Sequence, residues 1–147
     1  MNTEAVIRIK ETVDGYKKLL GILAENEDNE QICRLSKKRI SEIYGLSYTG
    51  TCKKLDFLLR YGLVREVDRG LIRTGKKVME AKPFTLLQRI MLLVLDKPEV
   101  YSSFKQQAEL LKEPFEEVQV AWGFYSYFFG SKYPDKDELS LLVQEKI

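Results

Sequence analysis

Ser36–Thr74, SKKRISEIYGLSYTGTCKKLDFLLRYGLVREVDRGLIRT, reads as helix, tight turn, helix and short hairpin. Between Lys37 and Tyr44, Ile40 and Ile43 stand among Lys37, Lys38 and Arg39 at the spacing of a short helix with one buried face. Gly45 closes that helix, because glycine takes a left-handed backbone at no steric cost. Leu46 is placed to plug the corner between the helices, and Ser47 to cap the amides of the next one. The second helix, Tyr48 to Tyr61, puts Cys52, Leu55, Leu58, Leu59 and the Thr51 methyl on one side, with Tyr48, Thr49, Gly50 and Lys53 on the other.

Gly62 ends the second helix. Leu63-Val64 then opens a run of strand character that returns through Asp68-Arg69-Gly70 into Leu71-Ile72-Arg73, a hairpin signal. The GLS corner at 45–47, the GLV step at 62–64 and Thr74-Gly75 ahead of the next helix make this span resemble a winged helix-turn-helix, most closely the DNA-binding half of MarR-type regulators. The resemblance covers roughly a third of the chain. It bears on fold more than on ligand, since winged helices also serve as protein-binding modules.

Charge is distributed in the same sense. The chain carries only +2 overall. Residues 36–82 hold twelve basic and five acidic residues, a net of +7, against −2 for residues 1–35 and −3 for residues 83–147. A polyanion is the partner such a cluster fits. Ser47 and Thr49, with the free amides of the helix start, are placed to hold a phosphate. Tyr48, Thr49 and Lys53 would enter the major groove, Gly50 would allow close approach, and Lys37 and Lys38 would reach the backbone. The resemblance implies that Arg69, at the wing tip and flanked by Arg65 and Arg73, enters the neighbouring minor groove. The outward positions at the helix start include no Arg, Asn or Gln, so base reading is modest or comes through DNA shape.

On either side the pattern is helical. Thr3–Glu25 shows a seam of Val6, Ile9, Val13, Tyr16, Leu20 and Leu23, widened by Leu19 and Ile22. It would pack on its own chain or on a partner helix. Gly15 and Gly21 each weaken the helix by about 1 kcal/mol, and a break near Asp14-Gly15 is one consequence. Glu25–Glu30, ENEDNE, reads as a solvated acidic loop. Ile32–Leu35 alternates as a short strand would, and Gly75–Ala81 as the start of a helix.

Lys82-Pro83 is the expected joint between a winged helix-turn-helix domain, 1–82, and a helical, aromatic-rich domain, 83–147. In the second domain the expected helices are one from Phe84 that is apolar nearly all round, Tyr101–Leu111, Phe115–Phe129 ending at Gly130, and a docked one within Pro134–Ile147. The order helix, helix, corner, helix, Gly repeats the first domain at a shift of 68 residues, which suggests a degenerate winged-helix-like unit. Its counterpart of the second helix begins Phe115-Glu116-Glu117 and would be repelled by phosphate. Trp122, Phe124, Tyr125, Tyr127, Phe128 and Phe129 make either an aromatic core or a subunit interface or ligand pocket.

Catalytic chemistry finds little support. The chain has no histidine and two cysteines, Cys33 and Cys52, with no phosphate loop, GxGxxG, CxxC or HExxH. No metal, cofactor or enzymatic activity is expected. No apolar run is long enough to cross a bilayer, and the reading is cytoplasmic. The mainly α fold with a small hairpin wing points to a dimeric transcriptional regulator binding double-stranded DNA. The rival is a protein-interaction module in a replication or partition assembly.

Overall fold

The computed structural model describes residues 3–144 and divides into two compact units. One is Thr12–Ala81; the other joins the chain up to Glu11 with everything from Lys82 onward. The expected joint at Lys82-Pro83 therefore falls one residue late, and the start of the chain groups with the second half rather than the first. Helix α1, Thr3–Glu25, runs unbroken through Asp14-Gly15. Its buried positions are Ala5, Ile9, Val13, Tyr16, Leu19, Ile22 and Leu23, while Val6 and Leu20 of the expected seam are half-buried.

Within Thr12–Ala81, α2 (Lys37–Tyr44) packs on α3 (Tyr48–Arg60). Ser36 caps α2 by accepting from the Arg39 amide, and Gly45 ends it at φ +86°. The end of α3 is closed by two reverse hydrogen bonds, Leu63 N–H to Leu58 C=O at 2.9 Å and Gly62 N–H to Leu59 C=O at 3.3 Å. That pairing satisfies carbonyls the helix leaves open. Ile40, Leu55, Leu58 and Leu63 form the centre of this core. Three expectations fail here: Ile43 and Leu46 are exposed, and Cys52 is only half-buried. Leu46 lies outside the corner that it was expected to plug.

A three-stranded antiparallel sheet, order β1-β3-β2, completes the unit: β1 Ile32–Cys33, β2 Val64–Val67 and β3 Gly70–Arg73. The hairpin turn is Asp68-Arg69, with Gly70 already paired to Val67. Strand β1 stops two residues short of Leu35, and both its residues are buried instead of alternating. The expected helix at Gly75–Ala81 is a single 3-10 turn, Val78–Glu80. The acidic loop is not merely solvated. Glu27 binds Arg73 through two contacts, Nε–Oε2 at 2.6 Å and Nη2–Oε1 at 3.2 Å. Asp28 pairs with Arg34 at 2.8 Å and accepts the Glu30 and Ile32 amides.

The second unit is all helix among the described residues from Lys82 on: α4 Lys82–Asp96, α5 Phe104–Leu111, α6 Phe115–Phe129 and α7 Lys136–Gln144. Phe84, Leu86, Leu87, Ile90, Met91 and Val94 are wholly buried, so α4 is central, and it packs on α5, α6 and α7. Helix α5 begins three residues later than expected, because Pro98–Val100 forms a 3-10 turn and Ser103 supplies the cap. Trp122, Tyr125, Phe128 and Phe129 are buried, which favours the aromatic-core reading of that run. The indole N–H donates to Gln107 Oε1 at 2.6 Å, and the Gln107 amide in turn donates to the Val100 and Tyr101 carbonyls. No hairpin follows α6 in the described residues, so the repeat extends no further than the α5–α6 corner. Of the tail residues, Leu142 is buried and Val143 exposed, while Ile147 lies outside the described residues.

Candidate nucleic-acid interface

The start of α3 is built by Ser47, whose hydroxyl accepts from the Gly50 amide at 3.0 Å. An amide that was expected to meet a phosphate is thus already occupied, and those of Tyr48 and Thr49 remain. A Cβ on Gly50 would sit 3.1 Å from Ser47 Oγ, so the glycine makes room for this cap as well as for anything approaching from outside. Tyr48, Thr49 and Lys53 are exposed, Tyr48 by 54%. The Tyr48 phenol hydrogen-bonds with Cys52 one turn on, which raises its pKa, and the Lys37 charge works against that shift.

The hairpin sorts its arginines by face. Arg65 pairs with Ile72 and Val64 with Arg73, so strand alternation sends Arg65 and Arg73 to opposite sides. Arg73 shares its side with buried Val64 and Leu71 and is held by Glu27, whose carboxyl it keeps below the ordinary 4.5. This corrects the expectation that Arg65 and Arg73 flank Arg69 together. Arg69 does occupy the turn, at φ 65° next to Asp68 at φ 37°. Glycine or asparagine is the cheap residue there, and a longer side chain in that region costs on the order of 1 kcal/mol. Such local strain is a reason to look for a role. Arg34 donates to the Asp68 carbonyl and lies 3.7 Å from its carboxylate, which offsets the acid beside Arg69.

Lys37 and Arg69 both line an open cleft of about 360 Å³ between the start of α2 and the hairpin, with Ser36, Glu66 and Asp68 also on its wall. Among the described residues, Lys37, Lys38, Lys53, Arg65 and Arg69 are exposed and form no ion pair. Arg39 is partnered by Glu42 at 3.7 Å. The sequence reading overlooked Arg34, because its partners, Asp28 and Asp68, come from two different loops.

Comparison of the chain with models of known families, with curated proteins and with solved structures found no match. Among the described residues no helix is long and apolar enough to cross a membrane, and no group of three or more Cys, Asp or Glu could hold a metal ion.

Proposed function

We propose that the chain is a double-stranded-DNA-binding protein, a cytoplasmic homodimeric transcriptional regulator built on a winged helix-turn-helix. One observation carries the reading: five cations of the α2–α3–hairpin segment, Lys37, Lys38, Lys53, Arg65 and Arg69, are exposed without an acidic partner among the described residues, while Arg34 and Arg73 are neutralised internally. Exposed, unpaired cations lose little when a phosphate replaces water and counterions. In this reading α3 enters the major groove with Tyr48, Thr49 and Lys53 foremost, and Arg69 reaches the neighbouring minor groove. Two such readers in a homodimer fit a palindromic site with half-sites about one helical turn apart.

A salt titration of duplex binding tests the proposal. Five phosphate contacts give a log-log slope of about −4.5 per protomer, whereas a slope near zero would remove the DNA reading. The dimer is tested separately by sedimentation at micromolar concentration, where a monomer alone would overturn it.

The second reading, a protein-interaction module of a replication or partition assembly, has its own observation. Ile43, Leu46 and Tyr48 are 39%, 47% and 54% exposed around the same corner, an apolar group that a protein partner could cover. Weak, salt-insensitive duplex binding in wild type and in the Lys53→Ala and Arg69→Ala variants alike would favour it.

A further inference from the structure

A second cationic group in the Thr12–Ala81 unit takes no part in the interface above. The Tyr44 hydroxyl donates to the Gly15 carbonyl at 2.7 Å, which ties the end of α2 to α1. Two ammonium groups contact the residues of that bond or their neighbours in the chain. Lys18 Nζ donates to the Tyr44 carbonyl at 3.2 Å and lies 5.3 Å from the centre of its ring. Lys54 Nζ lies 4.6 Å from the centre of the Tyr16 ring, itself stacked on Phe57 at 4.3 Å. A Cβ on Gly15 would lie at ordinary contact distance, 3.5 Å from the Tyr44 hydroxyl and 3.9 Å from Lys54 Nζ.

Neither lysine forms an ion pair among the described residues, nor do the exposed acids closest to them in sequence, Asp14 and Asp56. Lys54 is half-buried, and desolvation holds its ammonium below the ordinary 10.5. Lys18 is exposed, whereas a charge as far buried as that of Lys54 is commonly paired with an opposite one. Here an aromatic face and a backbone carbonyl stand where a carboxylate would be expected, and both attract cations more weakly than an anion does.

We infer that Lys18 and Lys54, gathered about the Tyr44–Gly15 hydrogen bond, form a binding site for a phosphate group, separate from the α3–hairpin surface. The bound oxyanion accepts hydrogen bonds from both ammonium groups and restores the counter-charge that Lys54 lacks. Its source is either the backbone of a longer nucleic acid, in which case the inference rests on the DNA reading, or a free phosphate ester.

Inorganic phosphate, titrated at constant ionic strength into the full chain and followed by amide NMR, tests the site. Saturable shifts at Gly15, Tyr16 and Tyr44 are expected. Lys18→Gln and Lys54→Gln should each weaken binding at least fivefold, and Lys54→Arg should retain it. Absence of saturable shifts, or shifts that the folded Gln variants leave unaltered, would overturn the inference whatever the duplex experiments give. If the double Gln variant weakens binding of a long duplex but not of one just covering the α3–hairpin face, the phosphate belongs to nucleic acid. Equal binding of both duplexes, with phosphate binding still saturable in wild type, identifies a free ester.

Discussion

Replacing Gly70 by alanine should destabilise the Thr12–Ala81 unit for a reason unrelated to backbone conformation. An ideal Cβ at that position lies 2.3 Å from Ile32 Cγ2 and 2.8 Å from the Cys33 carbonyl oxygen. Non-bonded carbons rest at about 3.5–4.0 Å, so β1 must retreat by roughly an ångström or more. The Ile32 methyl can turn aside, but the Cys33 carbonyl is backbone and cannot. Two residue pairs, Ile32 with Ile72 and Cys33 with Leu71, join β1 to β3, while Asp28 and a Glu27–Cys33 bridge hold the strand from the preceding loop, so the push falls on the β1–β3 pairing. Overpacking costs about 1–3 kcal/mol. If β1 lifts away, uncovering Ile32, now 6% exposed, adds roughly 1.5–3 kcal/mol. Against these stands a gain of about 0.4–1 kcal/mol from the stiffer unfolded chain. The net expectation is a loss of about 1.5–5.5 kcal/mol, read by urea unfolding as a lower midpoint at unchanged slope. Gly21→Ala is the control, since nothing lies within 4 Å of its added carbon. There the helix interior should gain about 1 kcal/mol. A Gly70→Ala protein within about 0.5 kcal/mol of wild type, the range of neutral surface changes, would refute the close-approach argument.

Other consequences follow from the way the arginines are partnered. Arg69→Gly relieves a left-handed side chain and should raise stability by about 1 kcal/mol while lowering duplex affinity and reducing the salt slope by about 0.9; paired unfolding and binding measurements check whether the two effects have opposite signs. Arg73→Ala should leave that slope unaltered and cost about 1 kcal/mol of stability, so an equal slope change in both variants would undo the sorting of the cations. Glu27→Gln bears on acid unfolding. The Glu27 pKa is depressed in the folded state by Arg73, so its contribution is fully present above the ordinary 4.5 and lost as pH falls through the lower folded value. The stability difference between wild type and variant should therefore close in acid, and a difference that widens there would contradict the assignment. Tyr125→Phe removes a hydroxyl that lies 2.8 Å from Glu138 Oε1 and 3.1 Å from the Lys132 carbonyl. It should cost about 1–3 kcal/mol and increase amide exchange in α7; unchanged exchange would mean that the hydroxyl does not hold that helix.

Legibility in the sequence followed the range of the interactions. Helices α1, α2 and α6 begin and end where the pattern placed them, because Ser36, Gly45 and Gly130 act within a turn of their own positions. The cap at Ser47 was read for the same reason. Where a segment depended on something distant, the reading slipped. Leu46 and Ile43 carry the apolar signal of buried residues and yet lie outside. Gly75–Ala81 looked helical by composition, but Gly75 sits at φ +86° and only one 3-10 turn forms. Tyr48, Thr49 and Lys53 lie outward on α3 as the helical period placed them, whereas the pairing of Arg34 and Arg73 was not legible.

By itself the sequence determined the boundaries of α1, α2 and α6, the capped corner between α2 and α3, the hairpin turn and the segment in which basic residues concentrate, all of which rest on neighbours a few residues apart. The tertiary structure decided which of those cations remain available. Arg73 meets Glu27 across 46 positions and Arg34 meets Asp68 across 34. Pairing at that distance in the chain is set by strand register and loop closure, which no local pattern encodes. Register also sends Arg65 and Arg73 to opposite faces of one hairpin, and packing leaves Lys18 against Tyr44 and Lys54 over Tyr16 with no ion pair among the described residues.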